Sequence, residues 1–404
     1  MPDKPLEQLE KFAIDVILER RRGKRAAILR SVLWALSLVY RRLMRCRWWW
    51  YERRLARWHS VGCLTISVGN LTVGGTGKTP IVEQFARTLT LAGRRVAILS
   101  RGYKSLPRPL AQRLWNRLTF RSNYIPPRVV SDGRSLLLDS GHAGDEPFML
   151  ASNLRDVVVL VDKDRVKSAL YAIRHFNADT LLLDDGYQYL PLKERLNVTL
   201  VDRHAPFGNE HVLPRGTLRE PHEHLKRGDV IFVTKCDGGD ITGLKERIRE
   251  YNRHAEIIEC AHRALYLQDL YTSARQPLQY LRGRDIGAVA GIAVPESFEG
   301  ALRGLGANLI YRRHYADHHR YTDQEVTNAI NRTRARGGHA LLTTEKDAVR
   351  FPRVNRQDLP VYFLRVEIQL VNTSESLHDC LIRISGIRAR RDIRHLPLSA
   401  VADF

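Results

Sequence analysis

Gly74, Gly75, Thr76, Gly77, Lys78 and Thr79 stand in one run, after the apolar stretch 64–69 and before a stretch from about Ile81 to Leu91 that reads as a helix. That order of strand, glycine-rich turn and helix suits a phosphate cradle. Glycines allow backbone angles that turn N–H groups inward onto phosphate oxygens. The helix N-terminus adds partial positive charge. Lys78 would reach β- and γ-phosphate oxygens, and the Thr79 hydroxyl would sit on Mg²⁺. Two positions depart from the usual pattern: Thr72 replaces the first glycine, and Val73 stands where partition-type ATPases carry a second lysine. The competing reading is a chance glycine-rich loop.

A phosphate loop needs a carboxylate at a neighbouring strand end to place its metal. The apolar run Thr180–Leu183 ends in Asp184 and Asp185. Two adjacent carboxylates repel unless a cation or hydrogen bonds compensate, so they are metal candidates or a solvated Asp-Gly turn. The run GDEP at 144–147 places Asp145 at a helix start, either as a cap or as an acid–base group. Arg219 and Glu220, between two prolines in PRGTLREP, fit a phosphate clamp with an anchor or an ordinary surface pair. His318 and His319 follow Asp317; zinc, a histidine tuning a catalytic carboxylate, and a satisfied surface histidine are all open. VTKCD at 233–237 resembles a guanine-reading motif, but the DxxG that should accompany it is missing, since Tyr187 stands three residues after Asp184.

These groups must be held by a scaffold that 404 residues build as two domains. The boundaries read as 1–58, a helical membrane-associating segment; 59–283, a domain carrying the phosphate loop; 284–380, a smaller α/β domain; and 381–404, a tail. Segments 6–22 and 26–45 read as helices. In the second, Ile28, Leu29, Val32, Leu33, Leu36, Val39, Tyr40 and Leu43 recur at helical spacing. Arginines and Trp48, Trp49, Trp50 and Tyr51 follow. Indoles favour the lipid–water boundary and arginines favour anionic headgroups, so residues 26–58 read as a helix docked on an anionic bilayer. Packing on the core, or contact with nucleic acid, would use the same residues. Residues 1–27 have no signal-peptide pattern, and the best apolar run, Val32–Tyr40, is too short to span a membrane.

Lys plus Arg number 65 against 44 Asp plus Glu, a formal charge of +21. Such a surface attracts nucleic acid, anionic lipid or nucleotide. The five cysteines (46, 63, 236, 260 and 380) contain no CxxC pair, which argues against a metal cluster or disulfide framework and for a reducing cytoplasm.

The order of motifs resembles the tetraacyldisaccharide 4′-kinase family of lipid A synthesis, from about Arg47 to about Leu370. The motifs are SVGNLTVGGTGKTP (67–80), RGYK (101–104), GDEP (144–147), LLLDDGYQ (181–188), FGN (207–209), LPRGTLREP (213–221), GIAVPESF (291–298), DHHRY (317–321) and TTEKDAV (343–349). The resemblance implies two α/β/α sandwich domains, the larger with a P-loop NTPase-type core, an active site in the cleft between them and an amino-terminal helix on the membrane surface. It implies transfer of the γ-phosphoryl of ATP, with Mg²⁺, to the 4′-hydroxyl of an acylated glucosamine disaccharide 1-phosphate, the lipid A precursor. Partners would be that lipid and the anionic inner-membrane surface at its cytoplasmic face, with no nucleic acid expected. Residue by residue, it implies Lys78 and Thr79 in the phosphate loop, Asp145 acting on the acceptor hydroxyl with His318 beside it, Asp184, Asp185 and Glu220 around the metal, and Arg219 near them. Residues 105–127 read as an insertion in which LWNRLTF forms a surface loop or a membrane-facing helix. The alternative from another class is a P-loop ATPase switch that binds nucleic acid or a protein partner.

Overall fold

The computed structural model describes residues 5–103, 105–106, 125–354 and 358–387. The expected insertion, apart from its ends, and most of the carboxy-terminal tail lie outside the described residues, and so does LWNRLTF. The described residues form two compact units. The first comprises the chain through Val82, Asp179–Ala261 and the residues from Leu370; the second comprises Glu83–Ala178 and His262–Gln369.

In the first unit the strand Leu64–Asn70 runs parallel between Thr180–Asp184 and Leu196–Asp202. Val230–Thr234 continues the sheet beside Leu196–Asp202, and the start of Glu256–Asp269 lies beside it, again parallel. Leu64–Asn70, Thr180–Asp184 and Val230–Thr234 are buried along their whole length. Parallel strands covered on both faces read as continuous apolar runs, which is why these segments stood out in the sequence. A neighbouring core of Leu71, Tyr187, Phe207, Leu218, Leu225 and Ile231 fixes the loops at the strand ends.

In the second unit Val96–Ser100 pairs parallel with Val158–Val161, whose other edge takes Arg128–Asp132 antiparallel. A further parallel set runs Asn308–His314, Asp285–Ala290, Ala340–Thr344 and Val361–Leu370. The helix Asp323–Ala335 opens with a complete capping box between Thr322 and Glu325. Both units are therefore α/β, as expected.

Several boundaries moved. The helix after the phosphate loop is Lys78–Leu91, three residues earlier than expected. Pro80 fits inside its first turn because the N–H that proline lacks would have no intrahelical partner there. The first helix is shorter, Pro5–Ile17. Its terminal carbonyl on Ile17 accepts from Asn209 at 2.9 Å, and Arg215 pairs with Glu19 at 2.5 Å. Tertiary donors thus satisfy an end that the local sequence did not mark. The second helix is longer, Lys24–Glu52, and takes in the tryptophans. Arg47 donates to the Gln188 carbonyl at 2.8 Å, and Arg227 lies over the Trp48 ring at 5.0 Å, so its last turns are held by contacts distant in sequence.

Gly69 shows how closely the sheet packs at the phosphate loop. A Cβ there would lie 2.6 Å from the Tyr187 Cβ and 2.8 Å from its backbone nitrogen. Overpacking of this kind typically costs about 1–3 kcal/mol. Gly69→Ala is expected to lower stability by that amount in urea or thermal unfolding; unchanged stability would show that the Tyr187 turn yields freely.

Candidate active site

The first group of functional residues gathers around the phosphate loop. Gly74 and Gly77 have φ of 127° and 82°, backbone open to glycine. A Cβ added at Gly74 or Gly75 would meet nothing within 4 Å, so the cradle is clear of protein atoms above these two residues. The loop is zipped to the segment carrying Arg219: Val73 N–H donates to Thr217 O at 2.7 Å, and Arg219 N–H donates to Leu71 O at 2.7 Å. On the other side the Thr234 hydroxyl donates to Thr76 O at 3.0 Å. Thr234 opens the TKCD segment, in which Lys235 pairs with Asp202 and Asp237 with Arg203.

Lys78 Nζ lies 3.0 Å from Asn70 Oδ1 and 3.4 Å from Asp185 Oδ1. Arg219 grips Asp185 with both Nη atoms, at 2.7 and 2.8 Å, and its Nη2 also meets the Asn70 side-chain oxygen. Asp185, next in the chain after the buried Asp184 that ends the strand, has φ of 52°, a left-handed backbone. Burial pushes the Asp185 carboxyl up, but the Arg219 hydrogen bonds and the Lys78 charge outweigh it and hold the group well below the usual carboxylate range. Glu220 faces elsewhere. It is buried and bonds His224 Nδ1 at 2.5 Å, with Arg227 at 3.8 Å. Arg227 also lies 4.1 Å over the Tyr187 ring, and Tyr187 donates to the His224 carbonyl at 2.5 Å. The Arg219–Glu220 pair is thus two anchors of opposite charge pointing at different partners, rather than a surface ion pair.

The second group lies wholly in the second unit. Asp145 is the first residue of the helix Asp145–Asn153, behind Gly144 at φ 93°. Its side chain does not cap; Oδ2 lies 2.8 Å from His318 Nδ1 and 3.7 Å from Arg350 Nε. His318 has φ of 64°, a left-handed conformation uncommon outside glycine, and its N–H donates to Gly291 O at 3.3 Å. Arg350 and Asp347, both fully buried, hold this turn. Arg350 donates to Gly291 O at 3.2 Å and His319 O at 3.2 Å. Asp347 accepts from Gly291 N–H at 3.1 Å, Tyr321 at 2.9 Å and Arg350 at 2.6 Å. For Asp145, burial raises the carboxyl, but the His318 hydrogen bond and the Arg350 charge prevail and hold it below its ordinary value. His319 is the satisfied histidine of the pair, bonded to Glu325 at 3.0 Å and stacked on Tyr315. Among the described residues no cluster of three or more His, Cys, Asp or Glu could hold a metal ion unaided, so the zinc reading has no support.

The structure therefore groups Lys78, Arg219 and Asp185 in one unit, and Asp145 with His318 in the other. It adds Asn70, Asp347 and Arg350, which the sequence reading did not single out. Asn70 sits inside SVGN, and Asp347 inside TTEKDAV with Arg350 one residue beyond that motif. The three-residue spacing of Asp347 and Arg350 was a visible signal for a local ion pair, which forms between the short helix and the turn that follows it.

Three comparisons with known proteins bear on this geometry. The family model for tetraacyldisaccharide-1-P 4′-kinase matches residues 29–384. The tetraacyldisaccharide 4′-kinase of Halothermothrix orenii is 34% identical over 387 residues, 91% of this chain and 96% of that protein. That of Geobacter sulfurreducens is 38% identical over 349 residues, 86% and 91% of the two chains. Among solved structures, LpxK from Aquifex aeolicus in complex with ATP superposes with a TM-score of 0.67 at 26% identity, covering 88% of this chain and 99% of that one. With a family match across most of its length and relatives aligned almost end to end, the chain belongs to the tetraacyldisaccharide-1-phosphate 4′-kinase family.

Proposed function

We propose that this kinase transfers the γ-phosphoryl of ATP to the 4′-hydroxyl of an acylated glucosamine disaccharide 1-phosphate, with Lys78 on the donor phosphates and Asp145 on the acceptor hydroxyl. The observation that carries the reading is the 2.8 Å Asp145–His318 hydrogen bond in a chain of this family. A nucleotide switch has no need of such a pair, and the family match gives the switch alternative no support.

The γ-phosphoryl passes through a loose transition state, so the protein mainly positions groups and neutralises charge. Lys78 is preorganised for this by Asn70 and Asp185. Arg219 spends its Nη atoms on the same two acceptors, and so sets where Lys78 waits. A preorganised charge-stabilising group of this kind contributes roughly 3–4 kcal/mol. The open cradle over Gly74 and Gly75, and the buried Thr76 hydroxyl with no partner among the described residues, fit a bound triphosphate. Mg²⁺, with Thr79 and Asp184 as ligands and Asp185 balancing charge nearby, would neutralise β- and γ-oxygens; Glu220, expected beside them, is instead spent on His224 and Arg227. In a loose transition state the attacking oxygen is still nearly an alcohol, so Asp145 takes the proton late. His318 and Arg350 both contact its Oδ2, which leaves Oδ1 for the substrate hydroxyl.

The acceptor lies in a membrane, and the second helix suits a place on its surface. Ile28, Val32, Leu36, Val39, Leu43 and Trp50 are each more than half exposed and form one stripe. Tyr40 faces inward and donates to Arg219 O at 2.9 Å. No helix among the described residues is long and apolar enough to cross a membrane, so the helix would lie in the interface on anionic lipid at the cytoplasmic face of the inner membrane.

In detergent micelles, Asp145→Ala should lower turnover of labelled ATP onto disaccharide 1-phosphate by about 10²–10⁴ while ATP binding is kept; equal losses in both would make Asp145 structural. The pH dependence has a definite sign. Asp145 works ionised, and its lowered pKa keeps it so to unusually acid pH. Without the His318 hydrogen bond the burial effect is less opposed, so the pKa rises. The acid limb of the kcat/KM profile of His318→Ala should therefore move to higher pH, and an unmoved limb would separate His318 from Asp145. Stability has the same sign: the Asp145 contribution is present above the ordinary carboxylate pKa and fades as pH falls through the lowered one. On anionic vesicles, salt screens arginines worth about 1 kcal/mol each at most. Wild type should keep some binding in strong salt, and the triple change Val32→Ser, Leu36→Ser, Leu43→Ser should abolish that remainder; equal salt-resistant binding by both would refute insertion of the stripe.

A further inference from the structure

Lys346 stands inside the TTEKDAV motif, but the acid–base reading gives it no part. It lies in the short helix Glu345–Ala348, capped by the Thr344 side chain. Its Nζ is 3.3 Å from His318 Nε2, 3.2 Å from Glu146 Oε1 and 3.9 Å from Asp317 Oδ1. Asp145 and Glu146, adjacent in the chain, thus hold the two ends of a closed circuit running Asp145, His318, Lys346, Glu146.

An ammonium has three donors and no acceptor. A ring nitrogen within hydrogen-bond reach of it must therefore accept. The other candidate facing Nε2, Asp317 Oδ2, is 3.8 Å away, beyond a hydrogen bond. If Nε2 accepts, the proton of the ring sits on Nδ1, which faces Asp145. We propose that Lys346 is a positioning residue that fixes the proton of His318 on Nδ1, so that the ring donates to Asp145 and leaves that carboxylate ionised to take the acceptor proton. This rests on the acid–base reading above and sharpens it. With Nδ1 already protonated and Nε2 occupied, His318 orients Asp145 and does not relay its proton, which leaves from Oδ1.

The backbone around Lys346 is built to hold it still. Arg350 Nε donates to Lys346 O at 3.1 Å. Glu345 accepts from Asn153 at 2.6 Å and from Arg365, which also grips Glu83. Asp347 is the buried hub already described. A lysine on an ordinary solvated turn would have no such framing on both sides. Among the described residues, Arg350 reaches Asp145 from behind, and the Tyr103 ring lies edge-on to His318 at 5.6 Å.

The test is the tautomer itself, read on the full-length protein in detergent micelles with ¹⁵N-labelled histidine. Two-bond proton–nitrogen spectra distinguish protonated from bare ring nitrogens, and His318→Gln identifies the signal. Wild type should show a protonated Nδ1 and a bare Nε2. Lys346→Met should move the proton to Nε2 or protonate both nitrogens, and lower kcat on the order of 10²-fold, the scale of a misplaced catalytic group, with KM for ATP unchanged. Lys346→Arg, which keeps a donor, should restore the tautomer and most of the turnover. A protonated Nε2 in wild type, or an unchanged Nδ1–H form in a folded Lys346→Met, overturns the proposal. Full transfer by Asp145→Asn would sink the proton-acceptor reading and this role with it. An inactive Asp145→Asn, with a tautomer indifferent to Lys346, would sink this inference alone.

Discussion

One carboxylate shared by two cations organises the phosphate-binding end of the first unit. Asp185 is gripped by Arg219 through both Nη atoms and faced by Lys78, and Asn70 offers its side-chain oxygen to the same two cations. Three charges in a half-buried space are tolerable only because each meets an opposite charge or a hydrogen-bond partner. That need dictates much of the nearby chain. The segment carrying Arg219 must pair with the phosphate loop, the Asp185 backbone must take a left-handed turn, and residue 69 must lack a side chain so that the Tyr187 turn can close onto the sheet.

The second unit solves the same problem with different residues. Asp347 and Arg350 are buried as a pair, and their remaining hydrogen-bonding capacity goes to Gly291, Tyr321 and the backbone of the histidine turn. Breaking either partner would leave a buried charge uncompensated, which is costly. The return on this arrangement is positional. His318 is held in a left-handed conformation, and Asp145 keeps a low pKa although burial alone would raise it. In the proposed reaction, a base that stays ionised suits a transition state in which little proton transfer has occurred.

The long second helix links an exposed apolar stripe to the segment that carries Arg219. Its apolar stripe faces outward, while Tyr40 bonds the Arg219 carbonyl and Arg41 and Arg45 pair with Glu223, three residues beyond Glu220. The eight apolar residues that recur at helical spacing do not share one fate. Leu29, Leu33 and Tyr40 turn partly inward, and Ile28, Val32, Leu36, Val39 and Leu43 remain exposed. A helix can bury one narrow face on protein and offer the other to lipid because its period of 3.6 residues separates the two.

The sequence by itself determined the family, the α/β class, the phosphate loop and the carboxylates at the strand end, because each depends on residue type at short spacing: glycine where the backbone must turn, lysine beside it, apolar runs for buried parallel strands. It also marked Asp145 and His318 as candidates without saying that they meet, since 173 positions separate them. Only the tertiary structure decided partners. Whether Asp145 caps a helix or bonds a histidine, whether Glu220 faces a metal or His224, and which of two adjacent histidines meets Asp145 all depend on long-range packing that brings distant backbone together. The extension of the second helix through Glu52 and the early end of the first at Ile17 belong to the same class. Local propensity leaves such ends open, and the group that satisfies the last carbonyl or ring comes from another part of the chain.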